Sequence, residues 1–215
     1  MFIFGFINPY GIEAMKYLFN SYGIDYLNKI VGEMNQPDLK KGIIIYKSKY
    51  GATEKYANWL SKETNFDCII NKSIDINKIL QYDIIIFAGG IYASGIAGLT
   101  FLKKNFAHFA NKKIAVLCVG ASPFEEKAFE EIYKHNFNGS LNGIPCYYGR
   151  GSWDESLMSF KDKTLCKLLQ KAVSKQSPDT YEPWQKALMC AVGQKCDWTD
   201  KKYLNPLIEW INSID

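Results

Sequence analysis

Arginine is almost missing from this chain of 215 residues: Arg150 is the only one, so the remaining 25 of the 26 basic side chains are lysines. Proteins that read base sequence favour forked guanidinium groups, and the aromatics here are not interleaved with basic clusters, so no nucleic-acid partner is expected. Histidine is scarce as well. His108 and His135 fall on helical apolar patterns and read as surface or helix-end residues rather than bases. The six cysteines (Cys68, Cys118, Cys146, Cys166, Cys190, Cys196) include no Cys-x-x-Cys pair, which excludes the usual zinc, iron-sulfur and dithiol spacings. Reduced thiols are the expectation, and Cys190 and Cys196 read as two unrelated core thiols.

Long apolar runs are lacking too. The opening "MFIFGFINPYGIEAMKYLFN" is interrupted by Asn8, Pro9, Glu13 and Lys16 and has no basic leader, so it suits neither a spanning helix nor a signal peptide. A cytoplasmic protein is expected. Gly-x-Gly-x-x-Gly, Gly-Lys-Ser/Thr and Gly-x-Ser-x-Gly are all absent at the places where a dinucleotide, a nucleoside triphosphate or a serine hydrolase would need them. Residues 46 to 53 and 88 to 96 hold no acidic cluster of the kind a phosphoacceptor domain requires.

What is present is a rhythm. From residue 42, short runs that are apolar on both faces recur as "GIIIYK" (42–47), "FDCII" (66–70), "YDIIIFAG" (82–89), "IAVLCVG" (114–120) and "IPCYYG" (144–149). Strands covered on both sides by helices read this way. Helical patterns fall between them near 52–64, 97–109 and 124–135. The predicted fold is an α/β doubly wound, five-stranded parallel sheet, with a domain over 41–215. Residues 1–40 break the rhythm: apolar spacings broken at Ser21-Tyr22-Gly23 predict two short helices, followed by the linker "NQPDLKK". Docking, self-association into a homo-oligomer and an incidental extension are all open for that segment.

After the fifth strand, "ESLMSFKDKTLCKLLQKAVSK" sets Leu157, Phe160, Leu165, Leu168, Leu169 and Ala172 on one stripe and Lys163, Lys167, Lys171 and Lys175 on another. The plain expectation for this helix, near 155–175, is a packed apolar face under a solvated basic one. Peripheral contact with an anionic membrane is the competing use. Two helices, near 183–192 and 203–213, are predicted to complete the chain.

In a doubly wound sheet, ligands bind outside the carboxyl ends of the strands where the winding reverses, so three loops are expected to converge. The first, "YKSKYGATEKYA", holds Ser48, Lys49, Tyr50, Gly51, Ala52 and Thr53. Its successive amides at a helix start, two hydroxyls and lack of acids suit a phosphate dianion. Gly51 is read as permitting backbone that a β-carbon would obstruct, and Lys49 and Tyr50 as pointing outward. The second loop, Gly89, Gly90, Ile91, Tyr92, Ala93 and Ser94, offers glycines and an aromatic face to a flat ring. The third, Gly120, Ala121 and Ser122, offers main-chain groups to a pyrimidine edge. These are the parts of a site for flavin mononucleotide, a cofactor that carries the electron chemistry itself.

The first loop resembles the Ser/Thr-x-x-Gly-x-Thr phosphate loop of flavodoxins. The order of segments from 41 to about 175 resembles the flavodoxin-domain branch that includes menaquinone-dependent protoporphyrinogen dehydrogenase. The resemblance implies strand order 2-1-3-4-5 and noncovalent FMN, with Ser48, Lys49, Tyr50, Gly51, Ala52 and Thr53 at the phosphate and Gly90, Tyr92 and Ala93 near the ring. It implies a redox partner protein or a small quinone-like substrate. Three features depart from it: a net charge of +4 where flavodoxins are acidic, the extension at 1–40, and no tryptophan in the second loop. Trp153 is open between ring stacking and plain packing.

Overall fold

The computed structural model describes residues 41–72 and 74–214; the helices and linker expected over 1–40 lie outside the described residues. Five parallel strands form the sheet: β1 (Gly42–Lys47), β2 (Asp67–Ile70), β3 (Ile84–Tyr92), β5 (Lys113–Gly120) and β6 (Cys146–Arg150), in the order β2-β1-β3-β5-β6. This is the expected 2-1-3-4-5 order once β4 (Gly95–Ile96), an antiparallel return on the end of β3, is counted in the chain.

Alternation explains why these strands are apolar throughout. Ile43, Ile45, Ile85 and Phe87 project into one buried cluster, and Ile44, Ile84 and Ile86 into another on the opposite face. The second cluster is sealed by α1 (Ala52–Thr64), whose buried Thr53, Tyr56, Ala57 and Leu60 follow the i, i+3, i+4, i+7 spacing of one helical stripe. Leu207 and Ile211 of α7 (Asn205–Asn212) join the same cluster. On the other face lie the short α2 (Ile76–Ile79), α3 (Leu99–Asn105) with a following 3-10 turn at Phe106–Phe109, and α4 (Glu126–Asn136).

The region after β6 departs from expectation. β7 (Ser152–Asp154) pairs antiparallel with β8 (Lys195–Asp197), a two-stranded ribbon too short to announce itself in sequence. Between them run α5 (Phe160–Val173) and α6 (Pro183–Cys190). The apolar stripe expected to pack under α5 faces outward: Phe160 is 89% exposed, Leu157 62%, Leu168 60%, and Leu165 and Leu169 are exposed as well. The helix instead turns Val173, Cys166 and Asp162 toward the domain, because Asp162 is anchored to the β1–α1 loop. Among the described residues, no helix is long and apolar enough to cross a membrane.

Candidate functional site

The first loop ends in an uncapped helix. Gly51 stands at the N-cap of α1 with φ of 92° and no side chain caps the turn. The first main-chain hydrogen bond of the helix is that of Lys55 N–H to Gly51 O, at 2.9 Å. The amides of Ala52, Thr53 and Glu54 are therefore the unpaired donors that every helix start presents, with the positive end of the helix dipole behind them. Gly51 takes the left-handed backbone that a β-carbon would obstruct, as expected, and an added β-carbon would meet no other atom within 4 Å. Thr53 is 2% exposed. A hydroxyl on that buried side chain adds one donor to the amide set. Glu54, the first acid after the loop, accepts a hydrogen bond from the Tyr46 hydroxyl at 2.9 Å and so has a partner on the β1 side.

Part of the loop is already engaged by the protein. Gly51 N–H donates to Ser48 Oγ at 3.0 Å, which leaves the Ser48 hydroxyl proton free to donate elsewhere. Lys49 N–H donates to the Tyr92 hydroxyl at 3.2 Å. Lys49, which is exposed, and Tyr50, which is half-buried, both donate to Asp162 of α5, and Ser159 N–H donates to the Tyr50 hydroxyl at 3.3 Å. Those two donors hold the Asp162 carboxyl at about 2, below the ordinary carboxylate range, and Asp162 in turn raises the Lys49 ammonium. The Lys49 charge is thereby matched by a carboxylate, which leaves main-chain amides as the principal anion donors.

The second loop is a two-residue hairpin. Ala93 (φ 46°) and Ser94 (φ 64°) form its tip between the paired Tyr92 and Gly95. Left-handed backbone at both central positions is the geometry in which Asn-Gly is favoured, so an Ala-Ser tip is strained. Asn136, at the end of α4, holds it from both sides: its Oδ1 accepts from Ile96 N–H at 3.0 Å and its Nδ2 donates to Ser94 O at 2.7 Å. Tyr92 folds back over Gly90, where a β-carbon would meet the ring at 2.7–2.8 Å, and stands edge-on to Tyr50 at 6.1 Å. Gly89 packs closely against the returning chain: its β-carbon would lie 2.2 Å from Ala97 O.

The third loop is fixed by its neighbours. Tyr148 donates to Ser122 O at 2.6 Å and lies 3.1 Å from Gly120 O, and burial pushes its phenol well above the ordinary range. Arg150 Nε donates to Ala121 O at 3.3 Å while its guanidinium sits 4.3 Å from the Trp198 ring centre.

Ile91, Ala93, Ser94, Gly120, Ala121 and Ser122 line one cleft of about 990 Å³. Residues 48–53 do not line it, and Tyr92, bridging to Lys49, connects the two regions. Trp153 from β7, left open between stacking and packing, lines the cleft, and the rest of that lining was invisible to sequence reasoning: Trp184 and Leu188 from α6, and Trp198 after β8. His135, read as a helix-end residue, lines the cleft too. No spacing signal links these positions to the three loops. The loop residues and the cleft together suit a phosphorylated flat cofactor: charge-seeking amides at one end, aromatic and main-chain surfaces at the other.

The family model described as a flavodoxin domain matches residues 43–180. Among solved structures, the Trp repressor binding protein of Bacillus subtilis is 22% identical with a TM-score of 0.39, over 52% of this chain and 85% of that one. A flavoprotein in complex with FMN from Lactobacillus acidophilus is 18% identical with a TM-score of 0.37, over 52% and 92%. The two-electron reduced flavodoxin of Megasphaera elsdenii is 15% identical with a TM-score of 0.36, over 50% and 82%. No curated protein matches the chain. Because the family model spans well over half of its length, the chain belongs to the flavodoxin domain family of FMN-binding α/β proteins.

Proposed function

We propose that the chain is a redox protein that works through FMN seated on the residues above. FMN, when bound, supplies one- and two-electron transfer. Ser48, Gly51, Ala52 and Thr53 would hold its phosphate with amides and two hydroxyls. Gly90, Tyr92, Ala93 and Ser94, with Gly120, Ala121 and Ser122, would flank the ring, and the aromatic cleft would keep water from it. The observation that carries this reading is the uncapped start of α1, opened by the left-handed Gly51 and backed by the buried Thr53.

The finer reading is a quinone-linked oxidoreductase of the protoporphyrinogen dehydrogenase type; the alternative is a carrier that docks redox partner proteins. The outward apolar stripe of α5, flanked by Lys161, Lys167 and Lys171, supports contact with an acidic partner or an anionic membrane surface. Purified protein is expected to be yellow, or to become so with added FMN, whereas a colourless protein that takes up none contradicts the cofactor assignment. Anaerobic oxidation of protoporphyrinogen with a menaquinone analogue separates the two finer readings: turnover above that of free FMN supports the enzyme, and turnover equal to free FMN supports the carrier.

A further inference from the structure

The tip of the second loop is held by a residue that no motif points to. Ala93 and Ser94 both have left-handed backbone, at φ of 46° and 64°, and neither is a glycine or an asparagine. Such a conformation persists only where the surroundings over-determine it. Among the described residues, Asn136 is the one side chain hydrogen-bonded to the main chain of residues 91–96. Its Nδ2 donates to Ser94 O at 2.7 Å and to Ile132 O at 2.8 Å, and its Oδ1 accepts from Ile96 N–H at 3.0 Å. Both donors and the acceptor of the amide are engaged, which fixes its orientation.

The clamp is itself anchored. Asn136 ends α4, whose Phe129, Ile132 and Tyr133 pack against the core, and the Tyr133 hydroxyl donates to Ile144 O at 3.1 Å. The other end of α4 starts from the third loop, where Glu125 caps it by accepting from Lys127 N–H and Ala128 N–H. One helix of eleven residues, about 16 Å long, therefore bears on both loops assigned to the flavin ring, and its Ile132 and His135 line the cleft. Asn136 is not part of that lining, whereas Ala93 and Ser94 are, so it can act on a ligand only through the tip.

We infer that Asn136 is a positioning residue for the flavin ring: it holds the Ala93-Ser94 tip in the strained backbone that flanks the ring, and it serves ring recognition without serving phosphate recognition. The inference deepens the FMN reading and rests on it. A loop ordered in advance spares the complex the cost of ordering it on binding. Without the clamp the tip relaxes to ordinary backbone, and an arriving flavin has to rebuild the strained turn. The phosphate nest is built by Gly51 and the first turn of α1, which none of the three Asn136 bonds reaches.

The test follows FMN and riboflavin by fluorescence titration of the full chain, and inorganic phosphate by its competition with FMN. Hairpin order in the flavin-free protein is read by hydrogen exchange at Ala97 N–H, which donates to Gly90 O at 2.9 Å. Asn136→Ala is expected to weaken both flavins by about tenfold or more, the scale of lost preorganisation, and to change the phosphate inhibition constant by less than about twofold. Ala97 exchange is expected to accelerate. Adding Ala93→Asn and Ser94→Gly to that variant gives the tip residues that accept left-handed backbone, and is expected to restore both Ala97 protection and flavin affinity. Asn136→Asp, of the same shape, keeps the acceptor for Ile96 N–H but sets an oxygen against Ser94 O. It is expected to weaken both flavins in the same direction, and it carries the test if Asn136→Ala does not fold. Unchanged flavin affinity in the Asn136 variants overturns the role, as does a loss that phosphate shares, or tip substitutions that restore Ala97 protection and not flavin affinity. Wild type that binds neither flavin, while Ala97 exchange still answers to Asn136, overturns the FMN reading and with it the role at the ring, and leaves the clamp on the hairpin standing.

Discussion

The phosphate end and the ring end of the site differ in how their parts are gathered. The phosphate end is a single stretch, Ser48 to Glu54, in which one left-handed glycine and the first turn of α1 place every donor. The ring end is assembled from the β3–β4 hairpin, the loop after β5, the end of α4 and a wall from α6 and Trp198, positions separated by up to about a hundred residues. A local nest survives almost any change elsewhere in the fold. A wall built from distant elements depends on all of them, and on contacts such as Asn136 to Ser94 that have no local signature.

That contrast can be broken by substitutions that injure one end and spare the other. The largest effect is expected from Gly89→Ala, whose new methyl would stand 2.2 Å from Ala97 O, a main-chain atom with little room to yield. A loss of about 1–3 kcal/mol or more is expected in urea unfolding, with the hairpin disordered. An unchanged midpoint would show that β4 packs more loosely than described. Next comes Thr53→Ala at the other end. Removing a hydroxyl donor to a charged phosphate is expected to weaken FMN by about ten- to a hundredfold, or roughly 1.5–3 kcal/mol, by fluorescence titration. If affinity stays the same, the phosphate sits elsewhere.

Tyr92→Phe probes the connection between the two ends. Its hydroxyl receives Lys49 N–H, so its removal frees one amide of the nest while keeping the aromatic ring. FMN affinity is expected to rise about two- to tenfold, the worth of one neutral hydrogen bond. A fall instead would mean that the hydroxyl itself contacts the cofactor. The smallest effect concerns Asp162, whose carboxyl is held at about 2 by Lys49 and then Tyr50. A depressed carboxylate stabilises the folded state above its unfolded value and loses that contribution as pH falls. The difference in near-ultraviolet dichroism between wild type and Asp162→Asn is therefore expected to persist at neutral pH and to fade between about pH 4 and 2. A difference that vanishes near pH 6 would rule out this assignment of the pair.

Sequence legibility follows the same division. The five apolar runs located all five parallel strands within a few residues, most clearly β1, β3 and β5, whose buried stretches must be apolar on both faces. The α1 start was legible for the same local reason, through Gly51, Thr53 and the lack of acids. The hairpin of Tyr92 to Gly95 was not, since Ala-Ser carries none of the usual turn chemistry and is held by Asn136 from another element. Periodicity found α5 but assigned its buried side wrongly: the lysines and leucines both face outward once Asp162 fixes the helix to Lys49 and Tyr50. Net charge does not give the charge of one cleft either. The chain is net positive, yet the cleft holds three carboxylates against one lysine, and distant exposed lysines are screened beyond roughly 8–10 Å.

The central claim is that the open amides at the start of α1 recognise a phosphate ester. Comparing FMN with riboflavin, the same ring without the phosphate, tests it most directly by fluorescence titration of the full chain. The account expects riboflavin to bind at least a hundredfold more weakly than FMN, with inorganic phosphate competing against FMN and not against riboflavin. Equal affinity for the two flavins would contradict it.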